Sequence, residues 1–384
     1  MDIAVLGTRG VPAHYGGFET AVEEIGQRLV ARGHRVTVYC RRSGEPSQSH
    51  YLGMRLVHLP AIRRKSLETL SHTFLSALHL VASRRRHDAV FVCNAANAPL
   101  LPVLRLGKAS IAVHVDGLEW KRAKWQGIGR RYYRVVEGLS VRWADALIAD
   151  ATGISDYYAD EFRVPTELLA YGAPILSDPG ASRVRDLGLE PSGYHVVVAR
   201  FEPENHVAEI VEGYRASSAE LPLVVVGSAP YADAYTGRVE GLAKGDPRIR
   251  LVGGIWDQQQ LDELYAHALT YVHGHSVGGT NPSLLRAIGA GTAVLAFDVN
   301  FNREVLGEVG HYFATPSELA PLFEKSESDH EQMREAGNLL REHARRHYRW
   351  DDVALGYEAL AIKLRDGYST RGIASGRRTR LAVT

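Results

Sequence analysis

The sequence predicts an α/β protein of two Rossmann-like domains, and three observations carry that prediction. Short apolar runs of strand length alternate with apolar positions at helical spacing along most of the chain. The alternation breaks off in Tyr171 to Ser192, a stretch rich in Gly, Pro, Ser and Asp, and restarts at His195. At 384 residues the chain exceeds one typical domain and suits two.

The first forty residues read as a βαβ unit. Ile3 to Leu6 is a buried strand, and Gly7 to Gly17 is a glycine-rich loop. Phe18, Ala21, Val22, Ile25, Leu29 and Val30 then repeat at helical spacing, Gly33 ends that helix, and Arg35 to Cys40 is the second strand. Ala89 to Cys93, Ser110 to Val113 and Ala146 to Ala149 are further apolar strands, the pattern of a parallel sheet covered by helices.

In the second half, His195 to Ala199, Leu223 to Gly227, Ile249 to Val252, Leu269 to His273 and Ala293 to Phe297 read as strands. Helices are expected over Val207 to Tyr214, up to Lys244, and over Asp257 to His267. Another begins at Pro282, with Asn281 as its N-cap and proline at the first helical position, where a missing N–H costs nothing. Two long helices follow, about Glu331 to His347 and Asp351 to Leu364. The expected domains are 1–175 and 190–350. A last helix over 351–366 is expected to pack back on the first domain, and a basic tail over 367–384 to be disordered.

Composition narrows the function. A formal net charge of +1 gives no global field for nucleic acid. Cys40 and Cys93 each end an apolar run and read as buried thiols in a reducing compartment. No apolar run reaches the roughly 18 residues of a membrane span, and Met1 leads directly into a strand, so a cytoplasmic protein is expected. No Asp-x-Asp triplet or His/Cys cluster has metal spacing, so no metal is expected.

Open parallel sheets bind ligands at the carboxyl ends of their strands. Two glycine-rich loops occupy such places, Gly7 to Gly17 and Gly278-Gly279-Thr280-Asn281. The second leads into a helix N-terminus, where an anion such as a phosphate is favoured. A cleft between two such domains suits a two-part substrate. The first loop lacks Gly-x-Gly-x-x-Gly, which argues against a nicotinamide enzyme.

Four ordered blocks carry a family resemblance. Gly7-Thr8-Arg9-Gly10-Val11-Pro12, Tyr15-Gly16-Gly17-Phe18-Glu19-Thr20, Val115-Asp116-Gly117-Leu118-Glu119-Trp120-Lys121-Arg122 and Gly278 to Leu285 resemble bacterial rhamnosyltransferase-like glycosyltransferases. These belong to the retaining GT-B group, family 4 type, and the resemblance spans roughly residues 1 to 315. It implies that Gly16 and Gly17 approach the donor or acceptor, and that Arg200, an always-charged multi-donor group, binds the donor diphosphate. The alternatives are a tight turn at the glycines and a surface pair of Arg200 with Glu202 or Glu204.

Two positions depart from that pattern. Asn205 stands where many relatives have lysine. Gly278 and Arg286 stand where retaining relatives often have two glutamates, the second of which accepts hydrogen bonds from ribose hydroxyls. Arginine only donates, so the site agrees with a deoxyribose donor, a dTDP-sugar such as dTDP-rhamnose. Asp116, or else His114, is the candidate to orient or deprotonate an acceptor hydroxyl, with Glu119 and Trp120 beside it. Ile62-Arg63-Arg64-Lys65-Ser66-Leu67 and the Trp120 to Trp125 stretch mix cations with apolar groups. They suit a lipid-linked phosphate or an anionic membrane surface, or are solvated faces. The reading is a metal-independent glycosyltransferase acting on a glycan or glycolipid hydroxyl in cell-surface polysaccharide synthesis. A sugar-nucleotide epimerase of the same architecture and a non-catalytic nucleotide-sugar binder are its alternatives.

Overall fold

The computed structural model describes residues 1–373, except 14–15, 43–47, 63, 65–66, 84, 116, 123–124, 126 and 229–232. The chain divides into two compact units. One comprises Met1–Tyr171 and the segment from Trp350 onward, and the other is Gly172–Arg349.

The first unit is built on β1 (Asp2–Leu6), β2 (Arg35–Arg41), β3 (His50–Tyr51), β4 (Met54–Leu59), β5 (Ala89–Cys93), β6 (Ser110–His114), β7 (Ala146–Ala149) and β8 (Glu167–Leu168). Their order is β3-β4-β2-β1-β5-β6-β7-β8. All neighbours are parallel except the β3–β4 pair. The central strands are apolar on both faces because helices cover both. In register, Val5 lies opposite Val38 on one side and Phe91 on the other. The helices of this segment are α1 (Gly17–Ala31), α2 (Glu68–Ala82), α3 (Leu101–Arg105), α4 (Ile128–Trp143) and α5 (Thr152–Phe162). Acids near the start of α1 hold the loop before it. Glu19 Oε1 accepts the Arg9 N–H at 2.9 Å, and Glu23 Oε2 accepts the Ala13 N–H at 2.7 Å.

The second unit has an all-parallel sheet of β9 (His195–Val198), β10 (Leu223–Val226), β11 (Ile249–Gly253), β12 (Thr270–His273), β13 (Ala293–Phe297) and β14 (His311–Phe313). Their order is β11-β10-β9-β12-β13-β14. Its helices are α6 (Ser182–Asp186), α7 (Val207–Ala216), α8 (Asp233–Ala243), α9 (Gln258–Ala266), α10 (Pro282–Ala290), α11 (Asn300–Leu306), α12 (Pro316–Ser328) and α13 (His330–His347). On one face, Val197, Val225, Val272 and Leu295 pack with Val207, Ile210, Val211 and Tyr214 of α7 and Leu319 and Phe323 of α12. Aliphatic burial of this kind supplies about 1.5–3 kcal/mol per large side chain before entropy is charged.

Helix α14 (Trp350–Arg365) belongs to the first unit. It is tied to α1 by Arg28 to Asp351 at 2.8 Å and Arg32 to Glu358 at 2.6 Å. Glu358 also pairs with His34 at 2.6 Å, and Tyr357 meets Phe91 edge-on at 5.1 Å. The tail expected to be disordered from 367 is not free at its start. Ser369 Oγ donates to Asp145 Oδ1 at 3.0 Å, the Thr370 N–H donates to the Asp145 carbonyl at 2.8 Å, and Thr370 is buried. Asp145 offers acceptors at the start of β7 that a polar segment can reach. Arg377, Arg378 and Arg380 lie outside the described residues.

Candidate functional site

Each sheet has a point where strand order reverses, between β1 and β5 in the first unit and between β9 and β12 in the second. Ligands of doubly wound folds bind outside the strand ends at that point. In the second unit the chain leaves β9 at Arg200. Its guanidinium side chain is 40% exposed, and Glu202 Oε1 lies 3.6 Å away, too far for a hydrogen bond. So exposed a pair holds the side chain weakly, and the cation remains open to a stronger anion.

Asn205 does not face outward. It is buried, and its Nδ2 donates to the Arg200 carbonyl at 2.7 Å. It braces the Arg200 loop as a second donor to that carbonyl, which also accepts the Glu202 N–H at 2.8 Å. The loop is also tied to the chain leaving β12. The Glu204 carbonyl accepts from the Ser276 N–H at 3.0 Å and from Ser276 Oγ at 3.1 Å. His206 stacks on Phe297 with centroids 4.0 Å apart, and its Nδ1 lies 2.8 Å from the Gly274 carbonyl. Any side chain at Gly274 would collide with the Asn205 carbonyl.

The start of α10 follows the sequence reading. Asn281 caps it, accepting the Ser283 N–H at 2.9 Å, and Pro282 is the first helical residue. That cap occupies one of the free N–H groups, and proline has none. The helix therefore offers an anion its dipole more than its first amides. Gly278 has φ +143°, a backbone that side chains rarely adopt, with open space where a Cβ would sit. Gly279 leads into Thr280, which is buried. Arg286, the residue at the ribose-reading position, already has a partner in the protein. It forms an ion pair with Asp262 of α9, both side chains being about four-fifths buried. A guanidinium that far from water needs a carboxylate, and α9 supplies one.

In the first unit, Gly16 precedes α1 with φ +117°, and a side chain there would run into the Glu19 carboxylate. Gly17 is the first residue of α1. His114 ends β6, and its ring stacks on Tyr171 at 5.8 Å and meets Phe18 edge-on at 5.0 Å. Burial pushes its imidazole down to about 3, so it is neutral at neutral pH. Neither ring nitrogen has a hydrogen-bond partner among the described residues. Glu119, expected near the acceptor, is held by Arg122 Nε at 2.6 Å and accepts Trp125 Nε1–H at 3.1 Å. It braces the turn after β6. The Trp120 ring has Arg134 4.6 Å, Arg130 5.4 Å and Lys121 5.6 Å from its centroid. Asp116 lies outside the described residues, as do Arg63, Lys65, Ser66 and Lys124. Cys40 and Cys93 are buried, and burial raises the Cys40 thiol to about 11. Among the described residues no three or more His, Cys, Asp or Glu are grouped to hold a metal.

Residues 185–342 match the family described as glycosyl transferases group 1. Residues 1–174 match a domain of unknown function, DUF1972. Among solved structures, the chain is similar to sucrose-phosphate synthase from Thermosynechococcus elongatus, with TM-score 0.77 and 23% identity over 94% of this chain and 98% of that one. HepE of Anabaena in complex with UDP gives 0.73 and 16% identity over 94% and 100%. A glycosyltransferase from Rickettsia africae gives 0.71 and 11% over 95% and 99%. These likenesses establish the GT-B fold. The curated proteins contain no match. No described helix is long and apolar enough to cross a membrane.

Proposed function

We propose that this GT-B protein is a retaining glycosyltransferase. It transfers a sugar, L-rhamnose from a dTDP donor being the reading favoured, to a hydroxyl of a glycan or lipid-linked acceptor. The second unit holds the donor. The observation that carries this is the braced, half-exposed Arg200 at the β9–β12 switch point of a group 1 domain. HepE is described bound to UDP and to UDP-glucose, which supports a nucleotide-sugar donor here.

The chemistry follows from what such a site supplies. The bond from the sugar anomeric carbon to the diphosphate oxygen breaks, and Arg200 with the α10 dipole takes up the growing negative charge. The acceptor oxygen attacks on the face the diphosphate leaves, and its proton passes to a diphosphate oxygen. Positioning and phosphate electrostatics supply most of the rate. His114 and Asp116 are the first unit's candidates to orient the acceptor hydroxyl. The basic-apolar segment around Ile62 and Arg64, both exposed, is the candidate for an anionic membrane or lipid-phosphate contact.

Arg200→Ala tests the donor assignment. Losing a charge-assisted contact to a diphosphate costs about 2–5 kcal/mol. Calorimetry with dTDP and UDP should show that loss with the circular dichroism spectrum unchanged. Wild-type affinity in the variant would remove Arg200 from the site. Among the described residues no three or more His, Cys, Asp or Glu are grouped to hold a cation, so transfer should persist in EDTA. Activity abolished by the chelator and restored by Mg²⁺ or Mn²⁺ would contradict this assignment.

A further inference from the structure

Parallel strands joined in one direction carry their connections on one face of the sheet, because such crossovers are right-handed. In the first unit the steps β4 to β5, β5 to β6 and β6 to β7 all run the same way, so α2, α3 and α4 form one layer. Helix α1 returns the other way, and α14 packs on it across the sheet. Within the layer, α3 touches both α2 and α4. The Tyr132 hydroxyl of α4 donates to the Ala96 carbonyl in the turn before α3 at 2.7 Å, and Arg105 Nε of α3 donates to the Trp143 carbonyl at the end of α4 at 3.0 Å.

The outward side of this layer is both apolar and basic. Leu67, Phe74, Leu78 and Ala82 are exposed and recur at the spacing of one helix stripe along α2. Leu106, just past α3, is 70% exposed. On α4, Ile128 is 86% exposed and Val135 is exposed, with Arg131 and Arg142 exposed on the same stripe. Arg64 stands before α2, Arg85 and Arg86 follow it, and Lys108 follows Leu106; all four are exposed. Acids do not offset these cations. Segments 62–86, 95–108 and 119–143 contain only Glu68, Glu119 and Glu137. Glu68 pairs with Arg41 at 3.2 Å, Glu119 with Arg122 at 2.6 Å, and Glu137 accepts the Tyr157 hydroxyl at 3.0 Å. The whole chain has a formal net charge of +1, so this layer holds a local excess. An exposed apolar patch of this kind marks an interaction surface. Pairing the face with itself would set cations against cations, whereas a surface of lipid phosphates over acyl chains complements both of its components.

We propose that the outer side of α2, α3 and α4 docks on an anionic lipid bilayer, with Phe74, Leu78, Leu106 and Ile128 entering the interface and the flanking arginines meeting phosphates. The proposal rests on the reading that the segment around Ile62 and Arg64 meets anionic lipid, and extends that contact from one loop to a helix layer. The probes are vesicles of phosphatidylcholine alone and of phosphatidylcholine mixed with phosphatidylglycerol, floated with the full chain. Wild type should float with the mixed vesicles only, and less at high salt. Arg131→Gln with Arg142→Gln should weaken binding about thirtyfold, each arginine near such a surface contributing roughly fivefold. Arg131→Lys with Arg142→Lys should stay near wild type. Phe74→Gln with Leu78→Gln should weaken binding about tenfold with every charge kept. All these positions are exposed, so urea midpoints and UDP affinity should not change. Wild type that binds UDP or dTDP yet does not float would overturn the docking face and leave the donor site standing. Undiminished flotation of both glutamine double variants would also overturn it, and loss in Arg64→Gln alone would return the contact to the Ile62 segment. A dimer in sedimentation that Phe74→Gln with Leu78→Gln abolishes, without flotation of wild type, would give the face to a second copy instead.

Discussion

A guanidinium cannot accept a hydrogen bond, so Arg286 cannot hold ribose hydroxyls as a carboxylate does. Its ion pair with Asp262 fills the position with a closed, charge-balanced contact. A donor lacking the 2′-hydroxyl loses nothing there, and dTDP should bind at least as well as UDP. Arg286→Glu alone would set two carboxylates together, so the informative variant combines it with Asp262→Asn. The new carboxylate should shift the dTDP-to-UDP affinity ratio towards UDP by about 1–3 kcal/mol. An unchanged ratio by calorimetry would show that this position does not read the sugar of the nucleotide. Residue identities made Arg286 and Asn205 visible as departures. Their partners Asp262 and the Arg200 carbonyl were not legible, because those contacts depend on how a helix packs and how a short loop closes.

Among elements, the central strands were the most legible, since helices on both faces force continuous apolar runs such as those of β1, β5 and β7. The capped start of α10 was legible because Asn281 and Pro282 act locally. The β3–β4 hairpin was missed because β3 has only two residues and the apolar run of β4 is broken by Arg55 and His58. Helix α4 was missed because its many arginines mask the buried stripe of Tyr133, Val136, Ser140 and Val141. The contact of α14 with α1 has a pH signature. His34 first, then Arg32, hold the Glu358 carboxyl below its usual value. A depressed carboxylate stabilises the fold above its unfolded pKa of about 4.3, and that contribution is lost as pH falls through the lower folded value. The urea midpoint should therefore drop below about pH 4.3, and Glu358→Gln should reduce that drop. An identical acid profile in the variant would mean the contact adds no stability.

At the scale of the molecule, one unit is continuous in sequence and the other is not. Residues 172–349 form the second unit without a break, while the first unit takes α14 from beyond it. The order of synthesis therefore differs from the order of completion. When Arg349 has been made, every strand and helix of the second unit exists. The first unit, begun earlier, still lacks the helix that covers Phe91 and supplies the partners of Arg28 and Arg32. Domains emerging from the ribosome fold as units, the N-terminal one first by default. Here the N-terminal half must wait with an apolar strip uncovered while the entire second unit is translated. The helix made after the second unit is the one that finishes the first.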